Sequence, residues 1–393
     1  MREMESEWFS LRTTKQQSYH SCFFIRGMQN KTKSMVRCYH FLMNIFLGVS
    51  LLLGEVVSTP TRVSVSWTAE LSEPLAETSE RLVSFNFDWH PANEGPTWGE
   101  NASLLTIDLK NERLKALASA MSPAVLRLGG SEGDDAVYDV DGKWCQRSRG
   151  GSGVPDKAYC LTMKRWEEIL DFASQTEVDV EFGVNVMYGR NCTKRCEPQP
   201  CAAGNTGYGT CSAWDPSNAI ALLNYTAARK LRLYAVAVGN EKEHVLTPED
   251  YASCMKIMRD QIDHLWPDES TRPLLVGPDM NPRADWLKEM LQAGGNSADA
   301  VTFHLYPGYG LDPSLKQEIM EPGFLDFTRK MSSIMKNVVA NASPKSELWI
   351  GETAAAWHSG ERNITDSFIS SFWFLDQRMD TCLFRLLYHY HCF

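Results

Sequence analysis

Short apolar segments rich in β-branched residues alternate with longer segments of helical periodicity along most of this 393-residue chain. The apolar segments are nearly continuous, which is typical of strands that are buried on both faces of a parallel sheet. Several of the longer segments begin with a proline that follows an Asp, Thr or Asn, as many helices do. This alternation predicts an α/β protein in which helices cover a parallel sheet.

Seven segments are predicted to be strands: Leu82–Trp89, Ala124–Leu128, Val178–Val186, Leu233–Val238, Pro273–Val276, Ala300–Leu305 and Glu347–Ile350. The helices are predicted at Leu109–Met121, Met163–Thr176, Pro216–Lys230, Pro248–Leu265, Pro282–Ala293, Gly323–Ala340 and around Phe368–Leu375. We therefore expect a (β/α)8 TIM barrel over residues 82–377 that is incomplete at its eighth strand. A doubly wound sheet is the alternative, but the sequence lacks the Gly-rich first turn with which such sheets bind nucleotides.

An apolar segment near the N-terminus, residues 41–53, follows several Lys and Arg residues. It is shorter than the roughly 20 apolar residues that a membrane span needs. The arrangement predicts a signal peptide over residues 35–58, after a spurious extension (1–34) and before an N-terminal strand or linker (59–81). If the segment stayed uncleaved, it would attach the chain to a membrane. We expect a secreted protein, located outside the cell or in a lysosome- or vacuole-like compartment.

Glycosylation sequons and cysteines agree with secretion. Sequons beyond the predicted signal begin at Asn101, Asn191, Asn224, Asn341 and Asn363. Among eleven cysteines, four crowd into one Gly- and Pro-containing segment: Cys192, Cys196, Cys201 and Cys211. They predict a disulfide-stapled loop of open connectivity, and Cys145 with Cys160 is a second plausible pair. A zinc knuckle is the alternative, although the spacing lacks the usual CxxC pairs.

The net charge is −10. This balance argues against nucleic acid as a partner, and the absence of basic runs disfavours densely sulfated polysaccharides. Neither a metal nor an organic cofactor is implied by any motif.

Polar and ionisable side chains follow or end several predicted strands. These residues are Asp88, Arg127, Asn240, Glu241, His304, Tyr306 and Glu352. In a barrel the carboxyl ends of all strands meet at one rim, where catalytic residues collect. We therefore expect these side chains to lie together.

Two glutamates at the ends of different strands suit the cleavage of glycosides. Retaining hydrolysis needs one carboxylic acid to protonate the leaving oxygen and a second carboxylate about 5–5.5 Å away to attack the anomeric carbon. Asn240 is suited to bond a sugar 2-hydroxyl. Tyr306 is suited to orient Glu352, and Arg127 to favour its ionised form.

Each residue alone has an ordinary structural explanation. An Asn-Glu pair at a loop start is usually a helix cap, His304 fits a core histidine, and Arg127 fits a buried ion pair. Glu243 reads as a solvated loop residue, and Asp134 as a cap or a salt-bridge partner. Their common placement at one rim favours the catalytic interpretation.

At these residues the chain resembles glycoside hydrolase family 79, the heparanase and β-glucuronidase family, and its plant heparanase-like members most. The matching segments are collinear and cover most of the chain: SPAVLRLGGSEGDDAVYDV, CLTMKRWEEILDFASQTEVDVEFGVNVMYGR, VGNE, LLVGPDM, AVTFHLYPG, LWIGETAAAWHSG and FISSFWFLDQ.

The resemblance implies that Glu241 is the acid/base and Glu352 the nucleophile of a β-glucuronidase acting on glucuronide-containing glycans or small glycosides. It places Asp88, Asn240, His304 and Tyr306 around the reacting sugar. It assigns the glucuronate carboxylate to the loop that contains Trp357, His358, Ser359 and Gly360. Alternatives are another retaining β-glycosidase, an inactive carbohydrate-binding relative or a truncated fragment.

The family follows its barrel with a β-sandwich domain. We therefore expect this chain to lack most of that domain and residues 378–393 to be an atypical tail produced by truncation.

Overall fold

The structure, a computed structural model, describes residues 79–89, 103–147, 159–194, 208–384 and 387–391. The predicted extension 1–34, the predicted signal peptide 35–58, residues 59–78 of the predicted linker, and Cys196 and Cys201 lie outside these ranges. Within them, no helix combines the length and the apolar character that crossing a membrane requires.

Eight parallel strands form a closed barrel in which each strand pairs with its neighbours in sequence and the last pairs with the first. They are β1 Val83–Asp88, β2 Val125–Gly129, β3 Asp179–Val184, β4 Ala235–Val238, β5 Leu274–Met280, β6 Ala300–Leu305, β7 Glu347–Thr353 and β8 Leu387–His391. The TIM-barrel prediction is confirmed.

The eighth strand corrects the expectation of an incomplete barrel. Leu387–His391 pairs with β1 through Val83↔Tyr388 and with β7 through Ile350↔Tyr388. The segment lies in the tail that the sequence interpretation treated as atypical, because no turn residues mark its start. Its parallel pairing with both neighbours completes the ring.

Seven longer helices accompany the strands of the described residues. They are α1 Glu112–Met121, α2 Met163–Thr176, α3 Ser217–Ala228, α4 Pro248–Leu265, α5 Ala284–Gln292, α6 Pro322–Ala342 and α7 Ser370–Phe384. Local chemistry sets several starts. Asn111 and Thr162 accept hydrogen bonds from the first-turn amides of α1 and α2, and Thr247 caps α4 ahead of Pro248. Such caps satisfy amides that a helix start leaves without partners.

Short elements decorate the connections. The helical turns are Ser131–Asp135, Trp144–Arg147, Gly295–Ser297 and Leu315–Glu318. Ala136–Asp139 pairs with Tyr159–Thr162, Cys192–Lys194 with Tyr208–Cys211, and Gly308–Tyr309 with Ala356–Trp357.

Two predicted features of the cysteines are confirmed. Cys145 is bonded to Cys160, and Cys192 to Cys211, which staples the predicted loop and removes these sulfurs as thiolate ligands of zinc.

The core has two parts, because successive strand residues face opposite sides of the sheet. Outside the barrel, strand residues such as Phe182 pack against helix residues such as Trp166, with ring centroids 4.7 Å apart. Inside it, Trp349 fills the space among the small residues Ala235, Ala237 and Ala300. Polar side chains occupy the interior towards the carboxyl ends of the strands, and they form the candidate site.

Candidate active site

Arg127 lies at the centre of the polar interior. It projects from β2, is 1% exposed, and donates from Nη1 to Glu352 Oε1 at 2.7 Å. Its Nη2 donates to Asp279 Oδ2 at 2.6 Å and to Asn240 Oδ1 at 2.8 Å. Burial alone would lower the pKa of Arg127, but chiefly the charges of Asp279 and Glu352 raise it above its ordinary value. The guanidinium therefore remains a buried cation that joins β2 to three other strand ends.

Glu352 lies near the end of β7, with its side chain 7% exposed. Both of its carboxylate oxygens have donors, because Tyr306 donates to Oε2 at 2.7 Å while Arg127 occupies Oε1. Burial and the charge of Glu352 raise the pKa of Tyr306 well above its ordinary value, so the phenol keeps the proton that it donates. The two donors orient the carboxylate and stabilise its negative charge.

Glu241 follows β4 on a tightly held loop. Its φ of 51° lies in the left-handed region, which non-glycine residues adopt at a cost and often at functional sites. The amide of Glu241 donates to the carbonyl of Asp279 at 2.7 Å. One residue earlier, the amide of Asn240 donates to Asp134 Oδ2 at 2.8 Å, and the same oxygen lies 3.3 Å from Lys242 Nζ. Asp134 is thus the salt-bridge partner that the sequence predicted.

His304 connects the two glutamates. From β6 its Nδ1 lies 2.8 Å from Glu241 Oε1 and 3.5 Å from Glu352 Oε2, while Nε2 lies 3.8 Å from Asp279 Oδ1. Burial alone would lower the pKa of His304, but the charge of Glu352 and the carboxylates of Asp279 and Glu241 raise it to about 10. At neutral pH the imidazole is therefore a second buried cation.

The separation of the two glutamates decides what chemistry the site permits. One oxygen of Glu241, one oxygen of Glu352 and a ring nitrogen of His304 all lie within 4.8 Å of one another. Retaining glycosidases hold their carboxyl groups about 5–5.5 Å apart, whereas inverting enzymes need about 6.5–9.5 Å to admit a water molecule. The arrangement is thus suited to a double displacement.

Asp279 belongs to this network, and the sequence interpretation missed it. The predicted fifth strand ended at Val276, because the Gly277-Pro278 pair usually interrupts a strand. In the structure β5 continues to Met280, which brings Asp279 to the rim. The Asp279 carboxylate accepts a hydrogen bond from Arg127, which in turn donates to Glu352. The backbone carbonyl of Asp279 accepts from the amide of Glu241, so one residue positions both glutamates. The sequence does carry a sign of Asp279, because it is an acidic residue just beyond an apolar run, as Glu241 and Glu352 are.

Glu181 is a second missed residue. It lies on β3, is fully buried, and its Oε1 lies 3.6 Å from Arg127 Nε. Burial and the charge of Asp279 raise the pKa of Glu181 to about 8, although Arg127 and His304 oppose the shift. The shift favours the protonated form of Glu181, and Asp279 and Glu352 approach Arg127 more closely than Glu181 does.

The other predicted residues lie around this network at the rim. Asp88 ends β1, and a Cβ added to Gly130, which directly follows β2, would overlap its carboxylate. The loop after β7 contains Trp357 and His358, which are exposed, and Ser359 and Gly360, which are half-buried. The roles assigned to these residues remain predictions. Glu243 was read wrongly as solvated, because it is 5% exposed and Asn281 Nδ2 lies 3.2 Å from its Oε1.

Replacing Asp279 tests its positioning role. We expect Asp279→Asn to lower kcat about 100-fold, because removing the anion loosens Arg127 and hence Glu352, and displacements of about 1 Å can cost that much. The titration of His304, followed by NMR of its ring proton, should move to lower pH, because the Asp279 carboxylate is one of the groups that raise the pKa of His304. Asp285→Asn, an exposed change on α5, is the control. An Asp279→Asn variant with parental kcat and an unmoved His304 titration would contradict this role.

Comparison with known proteins agrees with the geometry. The model of "Glycosyl hydrolase family 79, N-terminal domain" matches residues 64–378. Heparanase-like protein 1 of Arabidopsis thaliana is 30% identical over an alignment that covers 85% of this chain and 62% of the relative. Baicalin-beta-D-glucuronidase of Scutellaria baicalensis is 29% identical, with 77% of this chain and 60% of the relative covered.

The relatives are longer, and the chain matches about three fifths of their length. Among solved structures, the GH51 arabinofuranosidase of Xanthomonas axonopodis pv. citri superposes with a TM-score of 0.51 at 14% identity. The superposition covers 81% of this chain and 67% of that one. At this identity the likeness concerns the fold alone.

Proposed function

The chain belongs to glycosyl hydrolase family 79, and from this membership and its paired glutamates we propose that it hydrolyses β-glucuronides with retention of configuration. The observation that carries the proposal is the approach of the Glu241 and Glu352 oxygens within 4.8 Å. Two donors fix Glu352, and His304 bridges the pair. Relatives whose names state glucuronidase or heparanase activity support the choice of glycone.

In the first step Glu352 attacks the anomeric carbon while Glu241 donates its proton to the leaving oxygen, so the glycosidic bond breaks as the enzyme ester forms. The division of roles follows from exposure. The Glu352 side chain is 7% exposed and held at both oxygens, whereas that of Glu241 is 26% exposed. The more accessible Glu241 can contact the leaving group and later a water molecule, while the fixed Glu352 can direct one carboxylate oxygen at the anomeric carbon.

In the second step Glu241, now a carboxylate, takes a proton from water as the water attacks the anomeric carbon and releases Glu352. The His304 imidazolium lies 2.8 Å from Glu241 and stabilises the charge that this residue gains after the first step. When the ester breaks, Glu352 regains its negative charge, which hydrogen bonds from Arg127 and Tyr306 again stabilise. Each carboxylate thus returns to its initial state.

The glycone is a glucuronate held by the loop Trp357–Gly360, whose backbone amides are suited to bind a carboxylate without adding charge. The net charge of −10 favours leaving groups that carry few sulfates, either weakly charged glycans or small aglycones.

A comparison of two chromogenic substrates tests the proposal. We expect the protein to release 4-nitrophenol from the β-glucuronide with kcat/KM at least about 100-fold above that for the β-glucoside. The reason is that a site built to bond a polar substituent leaves its own polar groups without partners when the substituent is missing. Equal rates on both substrates would contradict the glucuronide assignment, and no turnover of either would contradict hydrolysis by this chain.

A further inference from the structure

Strand β7 carries one extra residue just before Glu352. Ile350 of β7 pairs with Phe303 of β6. Glu352 pairs with the next residue of β6, His304, so Gly351 is an extra residue in the register. The pairing of β7 with β8 shifts over the same segment. Such an insertion is a β-bulge, which recurs next to active sites because it redirects a side chain.

This bulge decides the direction in which Glu352 points. Trp349 faces the interior of the barrel, and Ile350 packs in the core outside it. Strict alternation along the strand would therefore place Gly351 inside and Glu352 outside. The bulge leaves both facing the interior, where a Cβ on Gly351 would lie only 2.7 Å from Asp279 Oδ1. A strand without the bulge would direct the glutamate towards the surrounding helices, away from the site.

The residue after Glu352 is held by two hydrogen bonds. Thr353 Oγ1 donates to the backbone carbonyl of Leu305 at 2.7 Å and accepts from Gln377 Nε2 at 2.6 Å. Leu305 directly precedes Tyr306, whose hydroxyl donates to Glu352. The Thr353 hydroxyl thus ties the backbone next to Glu352 to the backbone next to the donor of its hydrogen bond.

Gln377 makes this contact from a helix that covers the barrel. It lies on α7, and its Oε1 accepts from Thr328 of α6 at 3.2 Å. The side chains of Gln377, Thr328 and Thr353 are all at most 1% exposed. Buried polar groups cost free energy unless they form hydrogen bonds, and a bonded network specifies one arrangement of the elements that carry it. These three side chains therefore fix α7 relative to β7 at the level of the bulge.

From these contacts we propose that Gln377 is a positioning residue for Glu352, which acts through Thr353 and the bulge at Gly351. The proposal rests on the proposed glucuronidase function and deepens it, because it assigns a residue of a covering helix to the placement of the nucleophile. We expect the loss of this contact to slow the attack on the anomeric carbon rather than to weaken glycone binding. A displacement of about 1 Å can cost about 100-fold in rate.

Variants of both partners test this role. Gln377→Met retains the length of the side chain but cannot donate, Thr353→Val removes the hydroxyl, and Thr353→Ser retains it. Thr226→Val is the control, because it removes another buried hydroxyl, which lies between α2 and α3 and accepts from Trp166 Nε1 at 3.0 Å. The measurements are kcat and KM on phenyl β-glucuronide, the Kd of the non-hydrolysable phenyl 1-thio-β-glucuronide by calorimetry, and the melting temperature.

We expect Gln377→Met to lower kcat about tenfold and Thr353→Val about 100-fold, with KM and the Kd of the thioglucuronide changed less than about threefold. The double variant should lose no more than Thr353→Val alone, because both changes remove the same hydrogen bond. Thr353→Ser should keep kcat within about threefold of the parent. Thr226→Val should lower the melting temperature and leave kcat at the parental value. Parental kcat in Gln377→Met and Thr353→Val, or a loss of kcat matched by an equal loss of thioglucuronide binding, would overturn the positioning role.

The titration of His304, followed by NMR, needs no turnover and separates this inference from the proposed function. Burial lowers the pKa of His304, and chiefly the charge of Glu352 raises it to about 10. If Glu352 moves away in Thr353→Val, the titration should shift to lower pH, whereas Thr226→Val should leave it in place. If the parent protein hydrolyses no glucuronide but this shift occurs, the positioning role stands and the hydrolase function falls. An unmoved titration in Thr353→Val would overturn the positioning role whether or not the parent is active.

Discussion

Changing Glu352 to Gln should reduce hydrolysis of phenyl β-glucuronide by about four orders of magnitude or more, the size of loss seen when a covalent nucleophile is removed. The amide retains the shape of the carboxylate and can still accept from Tyr306 or Arg127. It is a poor nucleophile, however, and cannot neutralise the oxocarbenium-like transition state. The measurement is kcat/KM with protein purified from a strain that has no glucuronidase of its own.

The control for this variant lies on the same strand. Glu347 is exposed at the opposite end of β7 and accepts from Trp349 Nε1, a bond that an amide oxygen can replace. Glu347→Gln should therefore keep parental activity and the same melting curve. Activity of Glu352→Gln within about tenfold of the parent would mean that another residue attacks the sugar.

Changing Glu241 to Gln should give a loss that depends on the leaving group. General acid catalysis contributes about 10²–10⁴-fold, so phenyl β-glucuronide should lose that much. A dinitrophenolate leaves without a proton, so the first step on dinitrophenyl β-glucuronide should remain fast. The second step then lacks its base, and the glycosyl-enzyme should accumulate after an initial burst of product.

Azide distinguishes this role from a general loss of structure. It attacks the anomeric carbon without giving up a proton, so it should restore turnover of the dinitrophenyl substrate by Glu241→Gln and form the β-glucuronyl azide. It should not accelerate the parent protein to the same degree. A variant that loses equal activity on both substrates and gains nothing from azide would remove Glu241 from the acid/base role.

Most of the barrel could be predicted because its strands are buried on both faces. Such strands appear in the sequence as apolar runs, and the observed β6, Ala300–Leu305, has the predicted bounds. Strand β8, Leu387–His391, could not be predicted with the same ease, because it is not a continuous apolar run like the other barrel strands and no turn residue lies directly before it. Only pairing with both β1 and β7 makes that segment a strand.

The candidate site was predictable where a chemically distinctive residue stands at a recognisable strand end. Glu241, Glu352, His304 and Tyr306 meet that condition, and the structure joins them by hydrogen bonds. Asp279 does not, because a Gly-Pro pair hides the continuation of β5. Glu181 does not either, because a carboxyl group within an apolar strand gives no sign of the arginine that it faces.

The buried ion pairs of the barrel interior carry a desolvation cost, which the sequence alone does not reveal. Arg127, Asp279 and His304 are almost wholly buried, and removing ions from water is unfavourable unless opposite charges compensate. Here two cations face two ionised carboxylates and the more exposed Glu241. The arrangement fixes the positions of both glutamates before a substrate arrives, which is the form that electrostatic preorganisation takes in catalysis.

Trapping the glycosyl-enzyme tests most directly whether hydrolysis proceeds by a double displacement through Glu352. A 2-deoxy-2-fluoro-β-glucuronyl fluoride should form the ester readily, because fluoride leaves well, and hydrolyse slowly, because the fluorine at carbon 2 destabilises the positively charged transition state. Mass spectrometry of the digested protein should find one added fluoroglucuronyl group, on the peptide that contains Glu352. A label on a different residue, or turnover of the probe without any labelled peptide, would contradict a double displacement through Glu352.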